Sequence, residues 1–183
     1  MAGLVGVKAV AWEVRRDEDR GEWVYEPLVG VGGLVFGMPL VEAAALLSGL
    51  PPEPARPGDW IVDTEHSFPE LGVTLYGTDT GRLAAVAVDA LRGPQVRAEG
   101  MPLVGRVPSV VEQWLEEYNE EHGFESRFSP DGGPVSAELG VFVRVQRAGD
   151  ILLTRPIFLA KEWTRDMWDC MHPSEWRNGA HHS

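Results

Sequence analysis

The chain has 183 residues, of which 44% are hydrophobic, including seven Trp, six Phe and three Tyr. This length and apolar content suffice for a packed core and argue against a disordered chain. The net charge of −12 is spread along the whole sequence, which disfavours nucleic acid and anionic membranes as partners and favours a basic protein. No apolar run reaches the roughly 18 residues of a membrane helix. The single cysteine, Cys170, cannot form an internal disulfide, so we expect a cytoplasmic protein.

The N-terminal region reads as two strands around a polar turn. VKAVAWEV is followed by RRDEDRG and then by EWVYEPLVGV. The first strand reaches Trp12 and Glu13 without a clear cleavage site, so it is not read as a signal peptide. The pattern predicts an N-terminal β-hairpin over residues 5–31.

The tetrapeptide ELGV occurs twice, at 70–73 and 138–141, a shift of 68 positions. With this shift, ELGVTLYGTDTGRL lies over ELGVFVRVQRAGDI, and Gly81 lies over Gly149. Each copy has an alternating strand, a polar turn closed by glycine and a second apolar strand. This pattern predicts two β-hairpins in which the glycine supplies the positive φ of the turn.

Upstream of each hairpin the similarity continues, since LVFGMPLV (34–41) lies over LVGRVPSV (103–110). In both copies a proline precedes an amphipathic run, as is typical of the first turn of a helix. The first run ends at Gly49 and the second at Gly123, and glycine is the preferred residue just beyond a helix.

The sequence therefore predicts an α+β fold of internally duplicated strand-helix-hairpin units with a mainly antiparallel sheet, preceded by the N-terminal hairpin. The units span 34–99 and 103–160, and we expect one domain over 1–183. The linker LPPEPARPGDW (50–60) contains four prolines and predicts an exposed loop that continues through DTEHSFP (63–69).

The second predicted helix is strongly acidic on one side. Its apolar stripe consists of Val107, Val110, Val111, Trp114, Leu115 and Tyr118. The opposite side carries Glu112, Glu116, Glu117, Glu120 and Glu121, with Glu125 just beyond. Like charges four residues apart, and carboxylates near a helix C-terminus, are both unfavourable. The face is either a solvated surface or the binding surface for a basic partner.

Two other groups of residues are candidates for a site. Asp63, Glu65 and His66 lie close together in sequence and could serve acid–base chemistry in a pocket between the repeats, although no metal-ligand spacing accompanies them. The C-terminal segment 161–183 is rich in tryptophan. Such segments pack back onto a sheet or cover an edge strand; alternatively, Trp168 and Trp176 form an aromatic patch that binds a partner.

Known catalytic and cofactor motifs are missing from the sequence. GVGGLVFG (30–37) has Val35 where a dinucleotide-binding motif requires its third glycine, and no nucleophile-elbow motif is present. We therefore predict no cofactor, no metal and no enzymatic activity.

The stretches GMPLVEAAALL, ELGVTLYGTDTGRLAAVAV and GMPLVGRVPSVVEQWL resemble small acidic bacterial immunity proteins of polymorphic toxin systems, over about a third of the chain. Such proteins bind and neutralise a cognate toxin domain that is often basic. The two-fold α+β layout is also similar to β-lactamase-inhibitor-type repeats, whose units form one curved surface. These resemblances imply a non-enzymatic cytoplasmic protein that neutralises a basic protein partner. The alternative is a small-molecule-binding domain or enzyme that uses Asp63, Glu65 and His66.

Overall fold

A computed structural model of the chain describes residues 12–49, 65–129 and 132–164. These residues form a mixed α+β fold with mostly antiparallel strands and two α-helices. Several predicted features lie outside them: most of the first N-terminal strand, the proline-rich loop 50–60, Asp63, Trp168 and Trp176.

The elements in chain order are a 3-10 turn Asp17–Asp19, β1 Glu22–Trp23, β2 Tyr25–Glu26, β3 Gly30–Val31, β4 Leu34–Val35, α1 Leu40–Ser48, β5 Glu65–Phe68, β6 Val73–Gly77, β7 Leu83–Val88, β8 Gln95–Ala98, β9 Met101–Pro102, α2 Pro108–His122, β10 Arg127–Phe128, β11 Pro134–Ser136, β12 Val141–Ala148, β13 Ile151–Leu159 and a second 3-10 turn Lys161–Thr164.

The largest sheet has seven strands in the order β10-β11-β12-β13-β7-β6-β5, and all neighbouring pairs are antiparallel. β6–β7 and β12–β13 are the two predicted hairpins, and Gly81 and Gly149 have φ of 71° and 63° at their turns. At the centre, β13 pairs with β7 from Ile157 to Leu159. Pro156 has no N–H to donate, and it lies just before this pairing begins.

The N-terminal hairpin expected over 5–31 is not confirmed. β1 pairs in parallel with β8, which continues to β9, and β2, β3 and β4 form a separate antiparallel sheet. A strand of two residues has too few local contacts to specify its partner, so pairing with residues more than 70 positions away decided the arrangement.

Both predicted helices are present and end as expected. α1 begins after Pro39 and α2 begins with Pro108. Gly49 and Gly123 follow them in the left-handed conformation with φ of 65° and 69°, and their N–H groups donate to the last turns of the helices.

The main core lies on one face of the seven-stranded sheet. Leu75, Val86 and Phe158 project from that face and are fully buried. α1 covers this face with Leu40 and Ala43, and α2 covers it with Val111 and Leu115. The two small sheets cover the rest of the face. We call this side of the sheet the helix face, and the other side the opposite face.

Residues 65–68 were predicted to be part of a loop, and this is wrong. They form the edge strand β5, which pairs with β6 in register from Glu65↔Tyr76 to Phe68↔Val73. Phe68 packs against the main core, and this contact favours the strand over a solvated loop.

Candidate protein-binding surface

α2 is held to the helix face of the sheet by Val111, Leu115 and Asn119, whose side chains are at most 2% exposed. They lie four residues apart, so they form one line along the helix. The predicted stripe was wrong at Val107 and Val110, which are 57% and 51% exposed. Val107 precedes the first helical residue, and Val110 is turned about 100° from Val111 on the helix.

The predicted acidic side of α2 faces solvent. Glu116, Glu117, Glu120, Glu121 and Glu125 are exposed and Glu112 is half-buried. Glu125, beyond the helix, pairs with Arg127 at 3.0 Å. The salt bridges among the described residues include none of the five helical carboxylates, so their charge is not neutralised within that part of the chain.

An aromatic row runs along α2 beside these carboxylates. Trp114 and Tyr118 have ring centroids 5.7 Å apart, and Tyr118 stacks on His122 at 4.2 Å. Beyond the helix, Phe124 returns to the row and lies 5.6 Å from the His122 ring. His122 and Phe124 are exposed, whereas Trp114 and Tyr118 lie partly against the core. We call Trp114, Tyr118, His122 and Phe124 the aromatic row.

The stripe predicted from the sequence includes Trp114 and Tyr118, and the sequence pattern indicates no role for His122 or Phe124. The spacing of Trp114, Tyr118 and His122 at i, i+4 and i+8 could have indicated the row, because such residues share one face of a helix. The position of Phe124 follows from the Gly123 cap. The Phe124 N–H donates to the Asn119 carbonyl at 2.8 Å, and this bond turns the chain back towards the helix.

Further carboxylates act on the aromatic row from other elements. Burial raises the pKa of Tyr118, and the negative charges of Glu99 and Glu138 raise it further. Glu99 lies in the turn between β8 and β9, and Glu138 lies in the turn before β12; both side chains are exposed. The acidic surface is therefore wider than α2 alone, which only the tertiary structure reveals.

The aromatic row and the carboxylates beside it have the chemistry that could bind arginine side chains of a basic protein. A guanidinium group can stack on an aromatic ring while it donates hydrogen bonds to a carboxylate, and the aromatic row lies beside several carboxylates. Partly buried aromatic side chains are also the kind of residue that anchors protein interfaces. Carboxylates that form no salt bridge can, when they surround such anchors, speed association with a positively charged partner.

The alternative cluster is not assembled by the described residues. Glu65 and His66 are consecutive in β5, so their side chains project to opposite faces of the sheet. His66 pairs with Leu75 and shares the helix face, whereas Glu65 pairs with Tyr76 and shares the opposite face. Asp63 lies outside the described residues. In the ranges 12–49, 65–129 and 132–164, no three His, Cys, Asp or Glu residues are grouped so that they could hold a metal ion.

A second polar cluster consists of Asp17, Arg20, Gln95 and Arg106, and it connects the 3-10 turn before β1 with β8 and with the segment after β9. The Arg20 guanidinium is buried and donates to the carbonyls of Gly93 at 2.6 Å and Ala90 at 2.7 Å. Burial lowers the pKa of Arg20. Its donors are used on backbone carbonyls, so the Arg20 side chain links the chain before β1 to the turn after β7.

The fold and this surface define a mixed α+β protein with an acidic, aromatic helix exposed on one side. No protein-family model, no curated protein and no solved structure matches the chain. In the part of the chain that the structure describes, neither helix is long and apolar enough to cross a membrane.

Proposed function

We propose that this chain is a non-enzymatic binding protein that neutralises a basic protein partner through α2. The observation that carries the proposal is the aromatic row lying beside helical carboxylates that form no salt bridge among the described residues. The acidic side attracts the partner, and the aromatic row provides the contact area.

A toxin-immunity role is the most concrete form of this proposal. An immunity protein acts by covering its toxin, so it needs a complementary surface and no catalytic group. The net charge of −12 fits a basic toxin domain. The single cysteine fits a reducing cytoplasm, where such a protein would meet its toxin.

We propose further that the chain is a duplicated unit folded as one domain. β5-β6-β7 and β11-β12-β13 are two three-stranded groups within the seven-stranded sheet, and they meet at the antiparallel pair β7–β13. Gly72 and Gly140, from the two ELGV segments, have φ of 65° and 62°. Both halves contribute to the main core, as Val73 and Val141 illustrate. These matches support the 68-residue repeat seen in the sequence.

The test uses three baits with the same fold: the wild type, an acidic-face variant and a control. The acidic-face variant carries Glu116→Gln, Glu117→Gln, Glu120→Gln and Glu121→Gln. The control carries Glu26→Gln, Glu42→Gln, Glu70→Gln and Asp79→Asn, which are exposed positions on other elements. Both variants lose four negative charges, so any difference between them reports where the partner binds.

We expect the wild type and the control to capture the same basic protein from a lysate of the native host at low salt and to release it as salt rises. The association rate of the purified pair, measured by surface plasmon resonance, should fall about tenfold for the acidic-face variant, since attraction acts mainly on the association rate. Equal rates for the acidic-face variant and the control would refute α2 as the binding surface.

A further inference from the structure

Three side chains of the aromatic row lie together at the C-terminal end of α2. The rings of Tyr118 and His122 are 4.2 Å apart at an interplanar angle of 28°, and those of His122 and Phe124 are 5.6 Å apart at 18°. The Tyr118 and Phe124 centroids are 6.2 Å apart, so each ring is a neighbour of the other two. His122 and Phe124 are exposed, so another flat group can stack on these rings from solvent.

Local hydrogen bonds fix this arrangement without a partner. His122 Nδ1 lies 2.8 Å from the Tyr118 carbonyl oxygen, to which it donates in the tautomer that carries the proton on Nδ1. The Phe124 N–H donates to the Asn119 carbonyl at 2.8 Å, just after the left-handed turn at Gly123. Both exposed rings are thereby held at the end of the helix. Binding to a prearranged surface costs less conformational entropy than binding to mobile side chains.

Two carboxylates of α2 run parallel to the rings. Glu117 follows Trp114 by three residues and Glu121 follows Tyr118 by three, so each carboxylate is the neighbour of a ring on the helix surface. Each lies about 60° around the helix from its ring, on the side away from the buried Leu115. Both carboxylates are exposed, and neither belongs to a salt bridge among the described residues.

Glu99 and Glu138 add negative charge from other elements. Burial is the largest cause of the raised pKa of Tyr118, and the charges of these two carboxylates raise it further. They belong to the turns that precede β9 and β12. A cation on the aromatic row is therefore attracted by the carboxylates of the helix and also by those of the two turns.

We propose that the aromatic row selects arginine over lysine in the basic partner, with a guanidinium group stacked on the exposed rings and hydrogen-bonded to Glu117 or Glu121. The inference rests on the proposed function, since it names the side chain that is recognised at the same surface. A guanidinium group is flat and weakly hydrated, so it can extend a stack of rings while its N–H groups donate to a carboxylate. The ammonium group of lysine is strongly hydrated and gains less from a flat ring.

The test measures the binding of two synthetic peptides to the full-length protein by isothermal titration calorimetry at low salt. The peptides GRGRGRGRG and GKGKGKGKG have blocked ends and equal length and charge. For the wild type we expect the dissociation constant of the arginine peptide to be about tenfold lower than that of the lysine peptide. This ratio is the arginine preference.

The variant His122→Ser/Phe124→Ser, at two exposed positions, should reduce the arginine preference to about twofold and leave binding of the lysine peptide nearly unchanged. The control variant Trp12→Ser/Leu46→Ser removes two exposed apolar side chains elsewhere and should keep the full preference. His122→Phe retains a ring and should also keep it, which separates stacking from any effect of the imidazole charge. Phe124→Ser alone leaves α2 unchanged and should lower the preference even if the double variant fails to fold.

Equal dissociation constants of the two peptides for the wild type would overturn the inference. An arginine preference that survives in His122→Ser/Phe124→Ser and in Phe124→Ser would also overturn it, because the carboxylates alone would then produce the preference. In both cases the proposed function stands if the acidic-face variant binds both peptides more weakly than its four-substitution control does. Equal binding of the peptides by those two variants would instead refute α2 as the binding surface, and the inference with it.

Discussion

Asp17 is an exposed residue whose side chain connects distant parts of the chain. Its carboxylate pairs with Arg106 and accepts a hydrogen bond from Gln95 Nε2 at 3.2 Å, across 89 and 78 positions of sequence. Burial alone raises the pKa of Asp17. The hydrogen bond and charge of Arg106, with smaller contributions from Gln95 and Arg20, outweigh this effect, so the net pKa is lowered.

This lowered pKa predicts how Asp17→Asn depends on pH. A carboxyl whose folded pKa is below its ordinary value of 3.8 stabilises the fold above that pH and loses this contribution as pH falls through the folded pKa. Asp17→Asn should therefore lower the free energy of unfolding at pH 7, and the difference from wild type should disappear as pH falls well below 4. Urea unfolding from pH 7 to pH 2 measures the difference in free energy of unfolding.

Asp19→Asn, at an exposed carboxyl paired with Arg16, is the control and should have little effect at any pH. A difference for Asp17→Asn that is constant over the whole range would contradict the assignment.

At the scale of an element, the turn at Gly140 depends on contacts with residues that are distant in sequence. Gly140 is the third residue of the second ELGV segment. Its φ of 62° is a conformation that favours glycine. A Cβ at this position would lie 2.5 Å from Leu28 Cδ2 and 2.9 Å from the Leu159 carbonyl oxygen. Glycine is therefore required here both by the backbone conformation and by the lack of space.

Gly140→Ala and Gly149→Ala form a matched pair that separates the two requirements. Gly149 has nearly the same φ, 63°, but a Cβ there would have no neighbour within 4 Å. Both variants should lose about 1 kcal/mol from left-handed strain, and Gly140→Ala should lose about 2 kcal/mol more through the clash. Thermal and urea unfolding of both variants test this. Equal losses would mean that the packing around Gly140 adjusts without cost.

At the scale of the whole molecule, part of the net charge of −12 lies on α2 in an arrangement that opposes folding. Glu116 and Glu120, and likewise Glu117 and Glu121, are like charges four residues apart. They also crowd the C-terminal half of α2, where the helix dipole favours cations. A partner with the opposite charge would relieve both effects.

The acidic-face variant should consequently be more stable than wild type in the absence of a partner. Each repulsive pair costs a few tenths of a kcal/mol, so the four Glu→Gln changes should raise the free energy of unfolding by about 1 kcal/mol at low ionic strength. The gain should shrink as salt is added, since salt screens exposed charges. Urea unfolding at several salt concentrations, with the four-substitution control beside it, provides the measurement. A gain no larger than that of the control would indicate that the repulsion is general and not concentrated on α2.

The sequence by itself determined the elements whose signals are local. Pro39 and Pro108 indicated where helices begin, Gly49 and Gly123 where they end, and the alternating residues around Gly81 and Gly149 indicated both hairpins. It also identified the exposed carboxylates of α2, because a helix places residues four apart on one side whatever it packs against.

Only the tertiary structure decided the features that depend on contacts between distant residues. It placed residues 65–68 at the edge of the sheet, paired β1 with β8, and buried Asn119 while leaving Val107 and Val110 exposed. It also brought Glu99 and Glu138 towards Tyr118. Short strands and helix faces carry too little local information to choose a partner, so the burial of apolar surface over the whole chain makes that choice.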